Sequence, residues 1–239
     1  MGNNVPTEAA VFRSAMGVTL LGGGALGAGD LAVSLAVAPR LVAADGGAMA
    51  ALQAGLMPEA VYGDMDSLTP EARAALGPGR LHEIPEQDST DFDKALRHIQ
   101  APVVLATGFT GDRVDHELAV YHGLVARRDL RCVVLGVRDV VVHAPPDLTL
   151  DLPAGTRVSL FPLGHVTGRS TGLLWPIDGL AFHPAGRIGT SNQSTGATVR
   201  LSFDGPGMLL ILPRAQLEPL VSAVAGASLW SRAEGDGSV

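Results

Sequence analysis

Residues 40–54 read RLVAADGGAMAALQA: an apolar run, an acidic turn with two glycines, and an alanine-rich stretch. The run Arg40–Ala44 predicts a short buried strand, and residues 48–54 predict a helix. Asp45 lies between them, at the place where an open α/β sheet positions the residues that contact a ligand. An aspartate at this point is also a common helix N-cap, so its role stays open on this stretch alone.

The order of strand, loop and helix recurs through the first part of the chain. Short apolar runs alternate with helix-like stretches, and glycine-rich turns separate them. The further predicted elements are the strands Val18–Leu21, 103–107 and 132–137 and the helices Asp30–Val37 and 113–128. This repetition predicts a doubly wound domain with a mostly parallel sheet.

The character of the sequence changes after Pro145 and Pro146. The later segments are short, alternate between apolar and polar residues, and are separated by turns such as Asp-Gly-Pro-Gly at 204–207. These features are typical of an all-β unit. We therefore predict an α/β domain at residues 1–144 and a small β-sandwich at residues 145–215. Residues 216–239 are predicted to form a C-terminal helix followed by a frayed polar tail.

The overall composition limits the classes of function. The 239 residues carry a formal net charge of −7, so the chain has no general basic field that would hold nucleic acid. The single cysteine, Cys132, lies in an apolar run and is expected to be a buried strand thiol. The sequence predicts neither a signal peptide nor a membrane span, and we expect a cytoplasmic location.

Two acidic segments have the spacing of a metal site. The first, GDMDS, places Asp64 and Asp66 two residues apart, so in an extended chain both carboxylates face the same way and can bind one hard cation. The second, DSTDFDK at residues 88–94, gathers three carboxylates at a helix N-terminus, with Lys94 as a counter-charge. An Asx-turn in the first segment and helix capping by Thr90 in the second are the alternative explanations.

A third segment, GFTGDRVDH at residues 108–116, follows a predicted strand and leads into a helix. Arg113 can bind phosphate oxygens through two N–H groups, and Asp115 could accept a proton or orient a metal-bound water. An ordinary ion pair between Arg113 and Asp115 at the start of the helix is the alternative explanation.

Taken in order, these segments resemble the successive motifs of the thiamine pyrophosphokinase family. The matching segments are ADGGA (44–48), GDMDS (63–67), DSTDFDKAL (88–96), GFTGDRVDH (108–116), STGLLW (170–175) and GTSN (189–192). Their order and spacing across most of the chain are more specific than any single motif. The sequence departs from the family pattern at Asp88, where many relatives carry Asn, and at His116, where Gln is frequent.

The resemblance implies a Mg²⁺-dependent enzyme that transfers diphosphate from ATP to the hydroxyethyl group of thiamine, giving thiamine diphosphate and AMP. It implies that the α/β domain binds ATP and Mg²⁺, that the β-sandwich binds thiamine, and that a homodimer holds its active sites at the subunit interface. No nucleic-acid or membrane partner is expected. The implied Mg²⁺ ligands are Asp64, Asp66 and Asp91, the further catalytic residues are Arg113 and Asp115, the nucleotide-binding residues are Asp45, Gly46, Gly47, Thr90, Asp93 and Lys94, and the thiamine-binding residues are Trp175, Ser191 and Asn192.

Elementary electrostatics agrees with the resemblance. ATP is a polyanion, so an acidic site can bind it only through cations, and Mg²⁺ prefers a few carboxylates together with phosphate oxygens and water. Thiamine contains a cationic ring, which suits stacking against the indole of Trp175. A tryptophan in the core or at the rim of the sandwich is the alternative explanation for that residue.

Three other functions agree with part of the pattern. Another magnesium-dependent pyrophosphokinase, for example one acting on a hydroxymethyl-pterin, would use the carboxylates but has no need of Trp175, Ser191 and Asn192. A metal-dependent phosphohydrolase would release phosphate in the absence of thiamine. A catalytically silent sensor of thiamine or nucleotide would not need so many adjacent acidic groups, whose mutual repulsion is unfavourable.

Overall fold

The fold is described from a computed structural model over residues 10–196 and 198–231. Within these ranges the helices are α1 (Asp30–Val37), α2 (Gly47–Gln53), α3 (Pro70–Leu76), α4 (Asp91–Leu96), α5 (Val114–Ala126) and α6 (Leu217–Gly226). The strands are β1 (Phe12–Arg13), β2 (Val18–Leu21), β3 (Arg40–Ala44), β4 (Ala60–Gly63), β5 (Leu81–Glu83), β6 (Ile99–Gln100), β7 (Val104–Thr107), β8 (Cys132–Leu135), β9 (Asp139–His143), β10 (Asp147–Asp151), β11 (Arg157–Pro162), β12 (Val166–Thr171), β13 (Ala181–Phe182), β14 (Gly189–Gln193), β15 (Thr198–Phe203) and β16 (Met208–Pro213).

The α/β part contains parallel strands whose residues are almost all buried, except those of β5 at the edge of the sheet. β2, β7 and β8 pair in parallel, and so do β3, β4 and β5. A bridge between Val18 and Pro39 connects the two groups of strands at β2. Buried runs of this kind are expected where helices cover both faces of a sheet. The predicted α/β class is confirmed, and β2, α1 and β3 have the predicted bounds.

The β-rich part adds antiparallel strands to the same sheet and covers them with a second layer. β9 pairs antiparallel with β8 and with β16, and the sheet continues through β11 to β14. A four-stranded antiparallel sheet, in the order β10, β15, β12 and β13, forms the second layer. Its strands alternate between buried and exposed residues, as one-sided packing requires. This part confirms the predicted β-rich C-terminal region.

One apolar core lies between the two layers. Leu150, Leu201 and Phe203 of the second layer belong to the same buried cluster as Leu160 and Leu210 of the larger sheet. Helix α6 adds to this cluster through residues such as Leu220 and Val224. The larger sheet therefore contains strands from both sides of the proposed boundary at residues 144/145, and the division into two domains stays a prediction.

The ends of the parallel strands are packed so closely that only glycine fits at one position. A Cβ atom on Gly47 would lie 2.0 Å from the carbonyl oxygen of Leu21, at the end of β2. The loop after β2 also joins the loop after β7, because the amide of Gly24 donates a hydrogen bond of 2.8 Å to the carbonyl of Gly108. The loops after β2, β3 and β7 thus meet at one edge of the sheet, where open α/β sheets bind ligands.

Two further expectations concern single features. Cys132 is buried in β8, as its apolar surroundings predict, and burial raises the pKa of its thiol. Across the described part of the chain, each helix is too short or too polar to cross a lipid bilayer. Residues 232–239 of the predicted C-terminal tail lie outside the described residues.

Candidate active site

A cavity of about 390 Å³ opens where the strand ends meet. Its walls are the loops that follow β2, β3, β4, β5 and β7 and the N-terminal halves of α4 and α5. The predicted site residues that line it are Asp45, Gly46, Asp64, Thr90, Asp91, Lys94 and Arg113. The predicted residues that line it therefore come from four separate segments of the sequence, and Gly23 and Gly24 add a fifth.

Three carboxylates form a cluster, of which Asp45 and Asp64 line this cavity and Asp66 does not. One oxygen from each of Asp45, Asp64 and Asp66 lies within 4.8 Å of the other two. Asp45 is only 4% exposed, and its Oδ1 atom has no hydrogen-bond partner among the described residues. A buried carboxylate oxygen without a donor is unfavourable unless a cation or a ligand satisfies it. The cluster has the ligand chemistry of a hard divalent cation such as Mg²⁺.

The backbone is strained where it carries these carboxylates. Asp45 has a φ of 36° and Met65 a φ of 65°, values that are uncommon for residues other than glycine. Gly63 allows the strand end to come close, because a Cβ atom there would lie 2.8 Å from the Cβ of Asp45. Strain of this kind concentrates at functional sites, where the surrounding fold maintains it.

The alternative explanations for these aspartates have different outcomes. Helix α2 has Gly46 as its N-cap and no side-chain cap, so Asp45 does not cap it. The Asx-turn is present, since the amide of Asp66 donates to Oδ1 of Asp64 at 3.3 Å. That hydrogen bond lowers the pKa of Asp64 against the opposing effect of burial, with smaller contributions from Gln87 and Lys94. The turn therefore holds Asp64 in its charged form beside Asp45.

Lys94 connects the cluster to the start of α4. Its side chain is 2% exposed, and its Nζ atom lies 3.9 Å from Oδ2 of Asp64 and 3.5 Å from Oδ1 of Asp91. Burial raises the pKa of Asp91, and the charges of Asp45 and Asp64 raise it further, whereas Lys94 lowers it. Asp91 thus interacts electrostatically with Asp45 and Asp64, although it lies outside the 4.8 Å group.

Thr90 and Asp93 both serve helix α4. Thr90 is the N-cap, and its hydroxyl accepts a hydrogen bond of 3.3 Å from the amide of Asp93. The carboxylate of Asp93 accepts hydrogen bonds of 2.7 and 2.9 Å from Nε and Nη2 of Arg127. The structure therefore does not bring Asp93 to the cavity, because this carboxylate faces the C-terminal end of α5. Thr90 lines the cavity as well as capping the helix.

Arg113 and Asp115 form an exposed ion pair at the start of α5. Nη2 of Arg113 donates to Oδ2 of Asp115 at 2.6 Å, and Nε donates to Oδ1 at 3.2 Å. This hydrogen bonding lowers the pKa of Asp115. Arg113 lines the cavity, whereas Asp115 does not. The simple ion pair considered as an alternative is present, and it leaves the guanidinium at the cavity mouth.

The three predicted thiamine-binding residues lie together, but away from this cavity. Trp175 is 58% exposed, which rules out a core tryptophan. Asn192 is buried and bonds to backbone atoms: its Nδ2 donates to the carbonyl of Trp175 at 2.7 Å, and its Oδ1 accepts from the amide of Trp175 at 3.2 Å. Ser191 is exposed beside it with a φ of 64°. Asn192 therefore fixes the loop that presents the indole.

Several cavity residues were not predicted from the sequence as site residues. Gln87 donates a hydrogen bond to Oδ2 of Asp64 at 3.3 Å. Its place in the Gln-Asp pair just before α4 is the feature of the sequence that could have indicated a role in the site. Most of the other lining residues lie within the motif segments quoted above, where nothing in the sequence distinguishes a residue that lines a cavity from one that does not. The remaining unpredicted lining residues include Gly23, Gly24, Ser67, Ser89, Phe92, Phe109, Thr110, Asp112, His116 and Val120.

The chain is similar in sequence to known thiamin pyrophosphokinases. The family model described as "Thiamin pyrophosphokinase, catalytic domain" matches residues 33–134. The chain is 28% identical over 166 residues to thiamine pyrophosphokinase 1 of Oryza sativa subsp. japonica, which is 62% of this chain and 63% of that protein. It is 30% identical over 168 residues to thiamine pyrophosphokinase 2 of the same organism, 62% of each chain. The matches thus span about three fifths of these curated relatives.

Solved structures agree over more of the chain. A thiamin pyrophosphokinase from Geobacillus thermodenitrificans superposes with a TM-score of 0.67 at 25% identity, covering 83% of this chain and 97% of that one. Yeast thiamin pyrophosphokinase has a TM-score of 0.68 at 13% identity, covering 93% of this chain and 96% of that one, and shows the shared fold. The resemblance predicted from the sequence motifs is confirmed.

Proposed function

Because residues 33–134 match the catalytic domain of thiamin pyrophosphokinases, we propose that this chain transfers diphosphate from ATP to the hydroxyethyl group of thiamine and releases AMP. The observation that carries the proposal is the convergence of Asp45, Asp64 and Asp91 beside the buried Lys94 in one cavity, with Asp66 within 4.8 Å of Asp45 and Asp64. The relatives do not favour the pterin-type, phosphohydrolase or sensor alternatives.

We propose that Asp45, Asp64 and Asp66 bind Mg²⁺, and that Asp91, at the start of α4, is a further ligand. The fit rests on the unpartnered Oδ1 atom of Asp45 and on the short separations within the cluster. When bound, Mg²⁺ offsets the charge of the triphosphate and stabilises charge that develops on the transferred group. The family resemblance implies Asp64, Asp66 and Asp91 as the Mg²⁺ ligands and Asp45 as a nucleotide contact, and we add Asp45 to this ligand set.

Two cationic side chains complement the phosphates. Lys94 is held in place by Asp64 and Asp91, so its ammonium group needs little rearrangement to bind an oxygen of the triphosphate. Arg113 lies at the mouth and can turn from Asp115 towards a phosphate, where its two N–H groups bind oxygens side by side. Asp115 becomes a better proton acceptor once Arg113 has turned, because the pair is what lowers its pKa.

The thiamine pocket is proposed to be formed by Trp175, Ser191 and Asn192. The exposed indole offers a flat face for a cationic ring, and Asn192 fixes the loop that carries it. Because none of these residues lines the nucleotide cavity, we propose a homodimer in which the thiamine pocket of one subunit faces the nucleotide cavity of the other. A cytoplasmic location, with no nucleic-acid or membrane partner, completes the proposal.

The direct test is to incubate the purified chain with thiamine, ATP and Mg²⁺ and to separate the products. The proposal predicts thiamine diphosphate and AMP in equal amounts, and no product when thiamine or Mg²⁺ is left out. Phosphate release without thiamine would support a phosphohydrolase. Binding of thiamine or nucleotide without any product would support a sensor, and either result would overturn the proposed function.

A further inference from the structure

The loop at residues 22–29, called here the glycine loop, forms one wall of the nucleotide cavity. Gly23 and Gly24 line the cavity directly. A Cβ atom on Gly23 would lie 3.2 Å from the carbonyl carbon of Gly46, so the loop also packs against the turn that carries Asp45. Any displacement of the glycine loop therefore changes both the shape of the cavity and the support of the acidic turn.

The far end of the glycine loop is held by one buried carboxylate. Oδ2 of Asp30 accepts a hydrogen bond of 2.7 Å from the amide of Gly27, and the amide of Asp30 donates to the carbonyl of Gly27 at 3.1 Å. Asp30 is 5% exposed. A carboxylate this deeply buried requires a partner of opposite charge.

That partner comes from the other end of the chain. Nη2 of Arg214, which follows β16, lies 2.6 Å from Oδ1 of Asp30. Nη1 of Arg214 donates to the carbonyl of Gly136 at 3.3 Å, and its backbone amide donates to the carbonyl of Arg138 at 2.9 Å. Arg214 therefore joins the glycine loop to the turn between β8 and β9.

The turn between β8 and β9 supports another wall of the same cavity. A Cβ atom on Gly136 would lie 3.4 Å from the hydroxyl oxygen of Thr110, a residue that lines the cavity. A Cβ atom on Gly111 would lie 3.8 Å from side-chain carbons of both Ala25 and Val137. The guanidinium of Arg214 thus contacts both the end of the glycine loop and the turn between β8 and β9. These two segments pack around the cavity that is assigned to the nucleotide.

We propose that Asp30 and Arg214 are a positioning pair that sets the geometry of the nucleotide half of the site from outside the cavity. The inference rests on the proposed function, because it assumes that the cavity binds ATP. Neither residue lines the cavity, so both act through the glycine loop and the turn between β8 and β9. Loss of the pair is expected to impair ATP binding and to spare thiamine binding.

The test compares the full-length chain with the variants Arg214→Gln, Asp30→Asn and the double variant that carries both. Arg214→Gln is expected to raise the KM for Mg·ATP by about ten-fold, because small misplacements of positioning groups are costly, while the KM for thiamine changes by less than about two-fold. The KM of the double variant for Mg·ATP should be closer to the wild-type value than the KM of Arg214→Gln is, because the double variant leaves no buried charge unpaired. Arg40→Gln is the matched control. Arg40 pairs with Glu59 at the start of β3, at the opposite end of the strand from the cavity.

Equal rises in both KM values, or an unchanged KM for ATP in a variant that is less stable to heat, would overturn the positioning role. The control should leave both KM values unchanged. Failure of the proposed function is recognised separately, as a wild-type chain that forms no thiamine diphosphate. In that case calorimetry with Mg·ATP decides the inference: weaker nucleotide binding by Arg214→Gln than by Arg40→Gln supports it, and equal binding contradicts it.

Discussion

The substitution Asp45→Asn is expected to stabilise the metal-free protein while removing its response to Mg²⁺. Asparagine has the same shape as aspartate and tolerates a positive φ, so the strained backbone at this position should be kept. What changes is the charge. Most substitutions of buried residues destabilise a protein, which makes an increase in stability a specific sign of charge repulsion at a site built for a cation.

The size of the effect follows from the separations within the cluster. At 4.8 Å and an effective dielectric constant of about 20, two like charges repel by about 3.5 kcal/mol. Water at Asp64 and Asp66, which are less buried than Asp45, screens most of this repulsion. We therefore expect a gain of about 1 kcal/mol in the free energy of unfolding, or about 2 to 4 °C in Tm for a chain of this size.

Magnesium is expected to reverse the order of stability. At a free Mg²⁺ concentration of about one hundred times Kd, the wild type should gain about 2.7 kcal/mol, whereas Asp45→Asn should gain little. Thermal unfolding followed by circular dichroism, with EDTA and then with Mg²⁺, measures both quantities. Asp93→Asn is the matched control: it breaks the pair with Arg127, so it should lower Tm and keep the shift with Mg²⁺. A less stable Asp45→Asn that still responds fully to Mg²⁺ would refute the reasoning.

Three further predictions concern single residues. Trp175→Ala should raise the KM for thiamine more than that for ATP, because the exposed indole lies outside the nucleotide cavity; equal rises would indicate a structural role. Gly47→Ala should lower the free energy of unfolding, measured by urea titration, by about 3 kcal/mol, because the new Cβ atom would clash with the carbonyl oxygen of Leu21. In the same titration Gly79→Ala should leave the stability unchanged, because its Cβ atom would have no neighbour within 4 Å. Burial alone would raise the pKa of Glu86, but hydrogen bonds from a serine and a guanidinium lower it from 4.5 to about 2. Glu86→Gln should therefore have a lower free energy of unfolding than the wild type at pH 7. This difference in stability should shrink as the pH falls from 4.5 towards 2, and a difference that stays constant would contradict the lowered pKa of Glu86.

The sequence predicted those parts of the site that depend on local order. The predicted strand Arg40–Ala44, followed at once by an acidic turn, places Asp45 at the edge of the sheet where ligands bind. The structure places Asp64 at the same edge, after β4, a strand that was not predicted. The helix cap at Thr90 follows from residue type and spacing, and the structure shows it. Local patterns carried this information because each involves residues only a few positions apart.

The contacts that the sequence did not predict join residues far apart in the chain. Asp93 lies in the same first turn of α4 as Asp91, yet its carboxylate binds Arg127 at the end of α5. Asp30 and Arg214 meet only because β16 returns to the sheet beside β9. Nothing in a single sequence distinguishes such an ion pair from two solvated charges, since the pairing depends on how the helices and strands pack.

In the proposed function, the acidic cavity transfers the two terminal phosphates of ATP together to one hydroxyl group. Parallel reactions with ATP labelled at either the β- or the γ-phosphorus, in the presence of thiamine and Mg²⁺, test it most directly. We predict that both labels enter the thiamine product in equal amounts while unlabelled AMP is released. Transfer of the γ label alone with formation of ADP, or its release as inorganic phosphate, would contradict the account.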